Sequence, residues 1–299
     1  MRHLSLWLIF FLIVPANAQV PQPLEDDHPG SATYQFESQR KRIMVDGRRV
    51  ELFYPIAPKS YRAPVYIYGH GYGAPTRVYQ DTFEHLAQKG VAIVYPQYEI
   101  DDNDFIYRRM AADFNKLAEA GLRELGSLAD RKNIHYAGHS LGGQVALMAL
   151  GAPNLLKSQK PQSVLLFAPY GFDSSYLNKM DPTIPLSLFW GEKDDTSTEM
   201  TQNSIYRLSP AKHKQLITLK DYPTQPIIAA DHLFPLTNSG FFGGPEIPTA
   251  FHYHGVWKWM LGAVYDVQEG NQKTNIYLYG DEVITSGLKG FKHKVKRNW

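Results

Sequence analysis

Residues 135–150, His135-Tyr-Ala-Gly-His-Ser-Leu-Gly-Gly-Gln-Val-Ala-Leu-Met-Ala-Leu150, set Ser140 among glycines where one apolar pattern gives way to another. NIHYA, residues 133–137, has the composition of a strand, and LGGQVALMAL, residues 141–150, that of a buried helix. A serine on so sharp a strand-to-helix turn is held with strained backbone angles, and its Oγ is pushed into the open. Gly138 and Gly142, two residues to either side, remove the Cβ atoms that would collide where strand and helix pack so closely. The helix N-terminus also turns backbone N–H groups and the positive end of its dipole toward any negative charge that develops there. Gly138-His-Ser-Leu-Gly142 therefore reads as a nucleophile elbow, Gly-x-Ser-x-Gly, and not as a turn with an incidental serine.

The rest of the chain carries the rhythm that such an elbow needs. Strands are expected at Ala32 to Arg42 and Arg48 to Pro55, joined through the hairpin signal Asp46-Gly47, and then at Pro64 to Gly69 and Val91 to Tyr98. Four more follow, at Asn133 to Ala137, Ser163 to Ala168, Pro185 to Trp190 and Lys214 to Leu219. Between them, helices are expected at Thr82 to Lys89, Asp104 to Leu125, Leu141 to Leu150, near Glu199 to Leu208, and at Tyr253 to Val264. Short continuous apolar strands such as VAIVY and VLLF suit a sheet buried on both faces, and helices between successive strands imply parallel crossovers. The expected class is α/β: a mostly parallel eight-stranded sheet with helices on both faces, no internal repeat and one domain over residues 32–299.

An acyl-transfer serine needs donors for an oxyanion, a base, and a carboxylate to orient that base. The loop after the third strand, Gly69-His70-Gly71-Tyr72-Gly73, has the H-G-x-G form of an oxyanion loop, so the backbone N–H groups of Tyr72 and Leu141 are the expected donors. In this architecture the acid and then the base follow the serine. Gly191-Glu192-Lys193-Asp194-Asp195 lies at a strand's carboxyl end, where catalytic groups collect, and offers Asp194, with Asp195 or Glu192 as alternatives. The aspartate not used is expected to cap the Glu199 helix. His232, in the loop after the last strand of the series, is the expected base. His252 and His254, at the entry of the following helix, are its rivals for that role but are read rather as surface or capping residues.

These residues resemble the α/β-hydrolase superfamily, and within it the bacterial cutinase-like polyester hydrolases and the dienelactone-hydrolase-like esterases. The resemblance spans roughly Val65 to Ala263: Gly71-Tyr72 is similar to the oxyanion loop, GHSLGG to that group's G-x-S-M-G-G, and IPLSLFWGEKD to its strand-to-acid segment, which implies Asp194 as the acid. APYGFDSS, residues 168–175, resembles the loop that supplies an aromatic wall of the cleft, which implies Phe172. The chain departs from that pattern in having no cysteine for the usual C-terminal disulfide and in its longer, aromatic histidine loop, AADHLFPLTNSGFFGG. Tyr176, Phe234, Phe241 and Phe242 could also line a cleft or serve as ordinary packing. Residues 170–184 are too short for a large lid, which implies an accessible site and short-to-medium acyl esters.

Composition narrows the remaining classes. With 31 basic and 29 acidic residues the formal charge is +2, which excludes a typical nucleic-acid binder, and the absence of cysteine leaves stability to core burial. Met1-Arg2-His3, the apolar run Leu4 to Val14 and Ala16-Asn17-Ala18 have the form of a signal peptide over residues 1–18, too short to span a bilayer. Secretion or a periplasmic location is expected, with no stable membrane span after cleavage. An extended leader occupies residues 19–31 and a basic tail closes the chain, Lys289 to Arg297, read as a solvated or frayed terminus or as an anionic-surface contact. The expected activity is ester hydrolysis by Ser140, His232 and Asp194 on a small-molecule or lipid-like ester, without metal or organic cofactor. Other triad hydrolases (peptidase, lactonase or phospholipid acetylhydrolase) and a binding protein that has lost catalysis are the alternatives.

Overall fold

The computed structural model describes residues 22–24, 29–98, 107–152, 160–221, 228–238, 240, 244, 246–270 and 293–298. The expected signal peptide, leader residues 19–21 and 25–28, and Phe241 and Phe242 lie outside them.

All the described strands join one sheet: β1 (Glu37–Val45), β2 (Arg48–Ile56), β3 (Ala63–Gly69), β4 (Ala92–Pro96), β5 (Ala129–His139), β6 (Ser163–Phe167), β7 (Leu186–Gly191), β8 (Lys214–Leu219) and β9 (His293–Asn298). Their order is β1-β2-β4-β3-β5-β6-β7-β8-β9. Neighbours from β4 to β8 run parallel, whereas β1 pairs β2, β2 pairs β4 and β8 pairs β9 antiparallel. This is the α/β class with an α/β-hydrolase-like sheet, and the eight expected strands are all present. The hairpin turn between β1 and β2 places Asp46 at φ 50° and Gly47 at φ 78°, the left-handed pair that a two-residue hairpin loop requires.

The ninth strand corrects the reading of the tail. Residues 293–298 are neither frayed nor merely solvated: they pair with β8 in register from Leu219↔His293 to Lys214↔Asn298. An open edge on β8 would leave a row of unpaired backbone groups, and a lysine-rich final strand covers it while discouraging further pairing. Lys296 reaches from this strand over the Tyr206 ring at 5.1 Å.

Helices cover both faces. On one lie α2 (Tyr107–Leu125), α3 (Leu141–Leu150) and α5 (Glu199–Leu208), packing Phe114, Leu122, Val145 and Ile205 against Val65, Ile67, Val164 and Leu188. On the other lie α1 (Gln80–Gln88) and α6 (Trp257–Gln268), packing Phe83, Trp257 and Trp259 against Tyr66, Tyr68, Phe167 and Phe189. A one-turn helix, α4 (Ser174–Leu177), follows β6. Helical structure begins earlier than the apolar pattern suggests: Ala250 and Phe251 are already helical, His252–Val256 form a π-helical turn, and α6 continues from Trp257. All ten residues of α3 are buried, so the elbow serine is presented by a helix that the core immobilises.

The core also holds four histidines in neutral form. Burial pushes His70 and His252 down to about 4 and His135 and His139 down to about 3. In the unfolded chain the same side chains take up a proton near pH 6.5. Between that pH and about 4 the unfolded state therefore binds more protons than the folded one, and stability falls as pH falls, by on the order of 1 kcal/mol per pH unit for each histidine. Urea midpoints measured from pH 7.5 to pH 4.5 are expected to drop steadily below pH 6.5; a flat profile would show that these sites accept protons without opening.

Candidate active site

The elbow is built by close backbone approach. A Cβ on Gly138 would overlap the carbonyl of Gly142, and one on Gly142 would overlap the carbonyl of Gly69 and come within 2.6 Å of the His70 nitrogen. β5, α3 and β3 thus meet at a point where no side chain fits. Gly142→Ala is expected to cost about 3 kcal/mol or more by forcing backbone apart, a loss readable in urea unfolding. Between these glycines Ser140 sits at φ 55°, ψ −124°, the strained conformation expected of an elbow. Its N–H donates to Phe167 O at 3.0 Å, and its carbonyl accepts from Gly143 at 3.0 Å and from Tyr170 at 3.1 Å.

His232 lies on the loop after β8 and faces Ser140. His232 Nε2 is 2.9 Å from Ser140 Oγ, and His232 Nδ1 is 2.9 Å from Asp194 Oδ2. A carboxylate oxygen accepts, so Nδ1 carries the proton and the Nε2 lone pair receives the serine hydroxyl. The other oxygen, Asp194 Oδ1, accepts backbone N–H groups from Thr196 at 2.9 Å and Ser197 at 2.7 Å. The Asp194 side chain is fully buried while that of His232 keeps 12 % of its surface, so the pair is largely shielded from solvent.

The neighbouring acids take other roles. Asp195 is exposed and accepts only from the hydroxyl of the adjacent Thr196 at 3.4 Å, and Glu192 is exposed and pairs with Lys220 at 3.3 Å. The cap of α5 corrects a sequence expectation: it is Thr198, not an aspartate, because the extended Thr198 turns its Oγ1 to accept from Thr201 N–H at 3.2 Å. His252 and His254 are buried, not on the surface; His252 Nδ1 accepts the Thr249 N–H at 2.9 Å and so serves the helix entry.

The Asp194 loop is tied to the Ser140 turn through residues that sequence reasoning missed. Ser197 Oγ donates to Pro169 O at 2.5 Å, Gln202 Nε2 donates to the same carbonyl at 2.9 Å, and Trp190 Nε1 donates to Ser197 O at 2.6 Å. Pro169 precedes Tyr170, whose N–H holds the Ser140 carbonyl, so acid and serine share one hydrogen-bonded loop. Ala168, at φ 46°, starts that loop with a left-handed residue. The signal for it in the sequence is slight: a serine three residues after Asp194 and an Ala-Pro pair after a strand.

On the other side of Ser140 stands the Gly69–Gly73 loop, the one expected to supply oxyanion donors. A Cβ on Gly71 would lie 3.5 Å from Ser140 Cβ and 3.3 Å from His139 Nδ1, so the backbone of this loop passes directly beside Ser140. Leu141 provides the first N–H of α3. Tyr72, next to Gly71, is 60 % exposed, and Tyr170, whose N–H bonds the Ser140 carbonyl, is 46 % exposed. Phe172 is half-buried and packs against the cluster under α2 and α3, and Phe234 is buried against Phe167 and Phe251. A cavity of about 270 Å³ flanks the Gly69–Gly73 loop, walled by Arg49, His70, Thr76, Gln97 and Tyr98. Among the described residues, segment 170–184 contributes only the one turn of α4 as cover.

No protein-family model matches the chain, and no curated protein matches it significantly. Among the described residues, no group of three or more His, Asp or Glu side chains could hold a metal ion, and no helix is long and apolar enough to cross a membrane.

Proposed function

We propose that the protein is an exported serine hydrolase of carboxylic esters. One observation carries this reading: the unbroken chain from Ser140 Oγ through His232 to Asp194, each link 2.9 Å, on a left-handed serine at the mouth of a helix. In the proposed cycle Ser140 Oγ attacks the ester carbonyl as His232 Nε2 takes its proton. Asp194 holds the Nδ1–H tautomer and stabilises the imidazolium. The imidazolium returns the proton to the leaving alcohol, and water releases the acyl group from Ser140 by the same route in reverse. Backbone N–H groups of Leu141 and Tyr72 are the proposed oxyanion donors, helped by the positive end of α3.

The connected triad speaks against a binding protein that has lost catalysis. The exposed Tyr72 and Tyr170, neighbours in sequence of Gly71 and Pro169, and the single helical turn within residues 170–184 favour soluble esters of short-to-medium acyl length. Membership in the cutinase-like group, and Phe172 as a cleft wall, rest on the motifs GHSLGG and APYGFDSS. Export rests on the pattern of residues 1–18. Incubation with p-nitrophenyl acetate, butyrate and octanoate tests the activity: hydrolysis of the two shorter esters is expected, and absence of turnover on all three would contradict the proposal.

A further inference from the structure

We propose that Tyr79 and His139 form a positioning bridge that locks the oxyanion loop, the nucleophile and the base loop into one register. The bridge begins at Gly71, whose N–H donates to Tyr79 Oη at 3.0 Å. Tyr79 Oη is 3.0 Å from His139 Nδ1, and His139 Nε2 is 2.9 Å from the main-chain carbonyl of His232.

The direction of every bond is determined. A carbonyl can only accept, so His139 Nε2 carries the hydrogen and Nδ1 of the neutral ring is an acceptor. Tyr79 must then donate to Nδ1 while its lone pair receives the Gly71 N–H. The ring stays neutral because burial, together with the nearby His232, pushes His139 down to about 3. The bridge is also rigid: Tyr79 is fully buried with its ring packed on Tyr68, Phe83 and Tyr95, and His139 is 3 % exposed.

Its placement gives it a use beyond satisfying buried polar atoms. Gly71 precedes the proposed donor Tyr72, His139 precedes Ser140, and the carbonyl at the far end belongs to His232 itself. Catalytic groups need to be held within about 0.5 Å of productive geometry, and here the three loops that carry them share one chain of hydrogen bonds. Tyr79 and His139 touch no reacting atom in this mechanism; they act through the groups they hold. Loosening them should lower kcat with little change in KM, since misplacement by about 1 Å can cost on the order of 100-fold.

This inference rests on the proposed ester hydrolysis, and its test separates the two. Tyr79→Phe, with competent sites counted by covalent phosphonate titration, is expected to lower kcat on p-nitrophenyl butyrate roughly 10- to 100-fold with KM within about twofold. His139→Gln, whose amide nitrogen stands where Nε2 stood and still donates to the His232 carbonyl, should retain more activity than His139→Asn, which reaches only the Tyr79 side. Wild-type kcat per competent site in Tyr79→Phe, or equal loss in the two His139 variants, would overturn the bridge as a positioning device.

A readout independent of turnover is the ¹⁵N spectrum of the imidazoles. Among the described residues, the ionisable side chains facing the His139 ring are Tyr79 and His232. His139 is expected to show the Nε2–H tautomer unchanged from pH 5 to pH 9 and to shift in Tyr79→Phe. If the wild type hydrolyses no ester but His139 behaves so, the ester reading fails and the bridge geometry stands. A His139 that carries its hydrogen on Nδ1, or titrates in that range, overturns the bridge whatever the activity.

Discussion

Ser140→Ala is expected to lower kcat on p-nitrophenyl butyrate by about 10⁵- to 10⁶-fold, to a residue of rate supplied by binding and oxyanion stabilisation alone. The substitution removes one oxygen. Alanine has the same Cβ as serine and meets the same backbone strain at φ 55°, and the Ser140 main chain keeps its bonds to Phe167, Gly143 and Tyr170. Stability is therefore expected to change little, and lost activity with an unchanged urea midpoint would assign the loss to chemistry. Substantial turnover in this variant would move the nucleophile elsewhere.

Asp194→Asn is expected to cost about 10⁴-fold in kcat while leaving the fold intact, and the reason lies in its fixed surroundings. Thr196 and Ser197 both donate backbone N–H groups to Asp194 Oδ1. An asparagine must keep its carbonyl oxygen there, so its NH₂ group points at His232 Nδ1. His232 can then meet that donor only by moving its own hydrogen to Nε2, which leaves no lone pair to accept the Ser140 proton. Asp195→Asn, on an exposed side chain that touches only Thr196, is expected to change kcat less than twofold, or about 0.4 kcal/mol of barrier. Rates measured side by side on the two variants identify the acid; a larger loss in Asp195→Asn would reverse the assignment.

What was legible in the sequence had local physical causes. Asp46-Gly47 announced a turn because few residues accept two left-handed positions in succession, and the elbow was readable because Gly138 and Gly142 stand where a Cβ would strike backbone. The eight strands up to β8 were visible as apolar runs, with ends displaced: the first begins at Glu37, not Ala32, and ends at Val45 opposite Arg48. Residue order pointed to Ser140, Asp194 and His232, and the structure brings these side chains together.

The remainder depended on distant contacts. Only the resemblance of IPLSLFWGEKD separates Asp194 from Asp195 in the sequence; the turn that buries one and exposes the other is closed by Ser197 on Pro169, 28 residues away. Thr198 took the cap of α5 because its extended backbone, not the charge of an earlier aspartate, lies opposite the open N–H of Thr201. Tyr170 borders the nucleophile through a main-chain bond that carries no side-chain signature. Tyr79 and His139 are 60 residues apart, and only the folded sheet reveals them as partners. The tail read as a charge run because its value as a strand arises from the bare edge of β8, which exists only after the sheet has formed.

The most direct test is covalent: treat the purified protein with a p-nitrophenyl alkylphosphonate, release one p-nitrophenol per chain, and locate the adduct by peptide mass spectrometry. A single adduct on Ser140, absent from Ser140→Ala and much slower in His232→Ala, is the predicted result. No adduct on the native protein, or one on a different residue with Ser140 unmodified, would contradict an activated serine at this elbow.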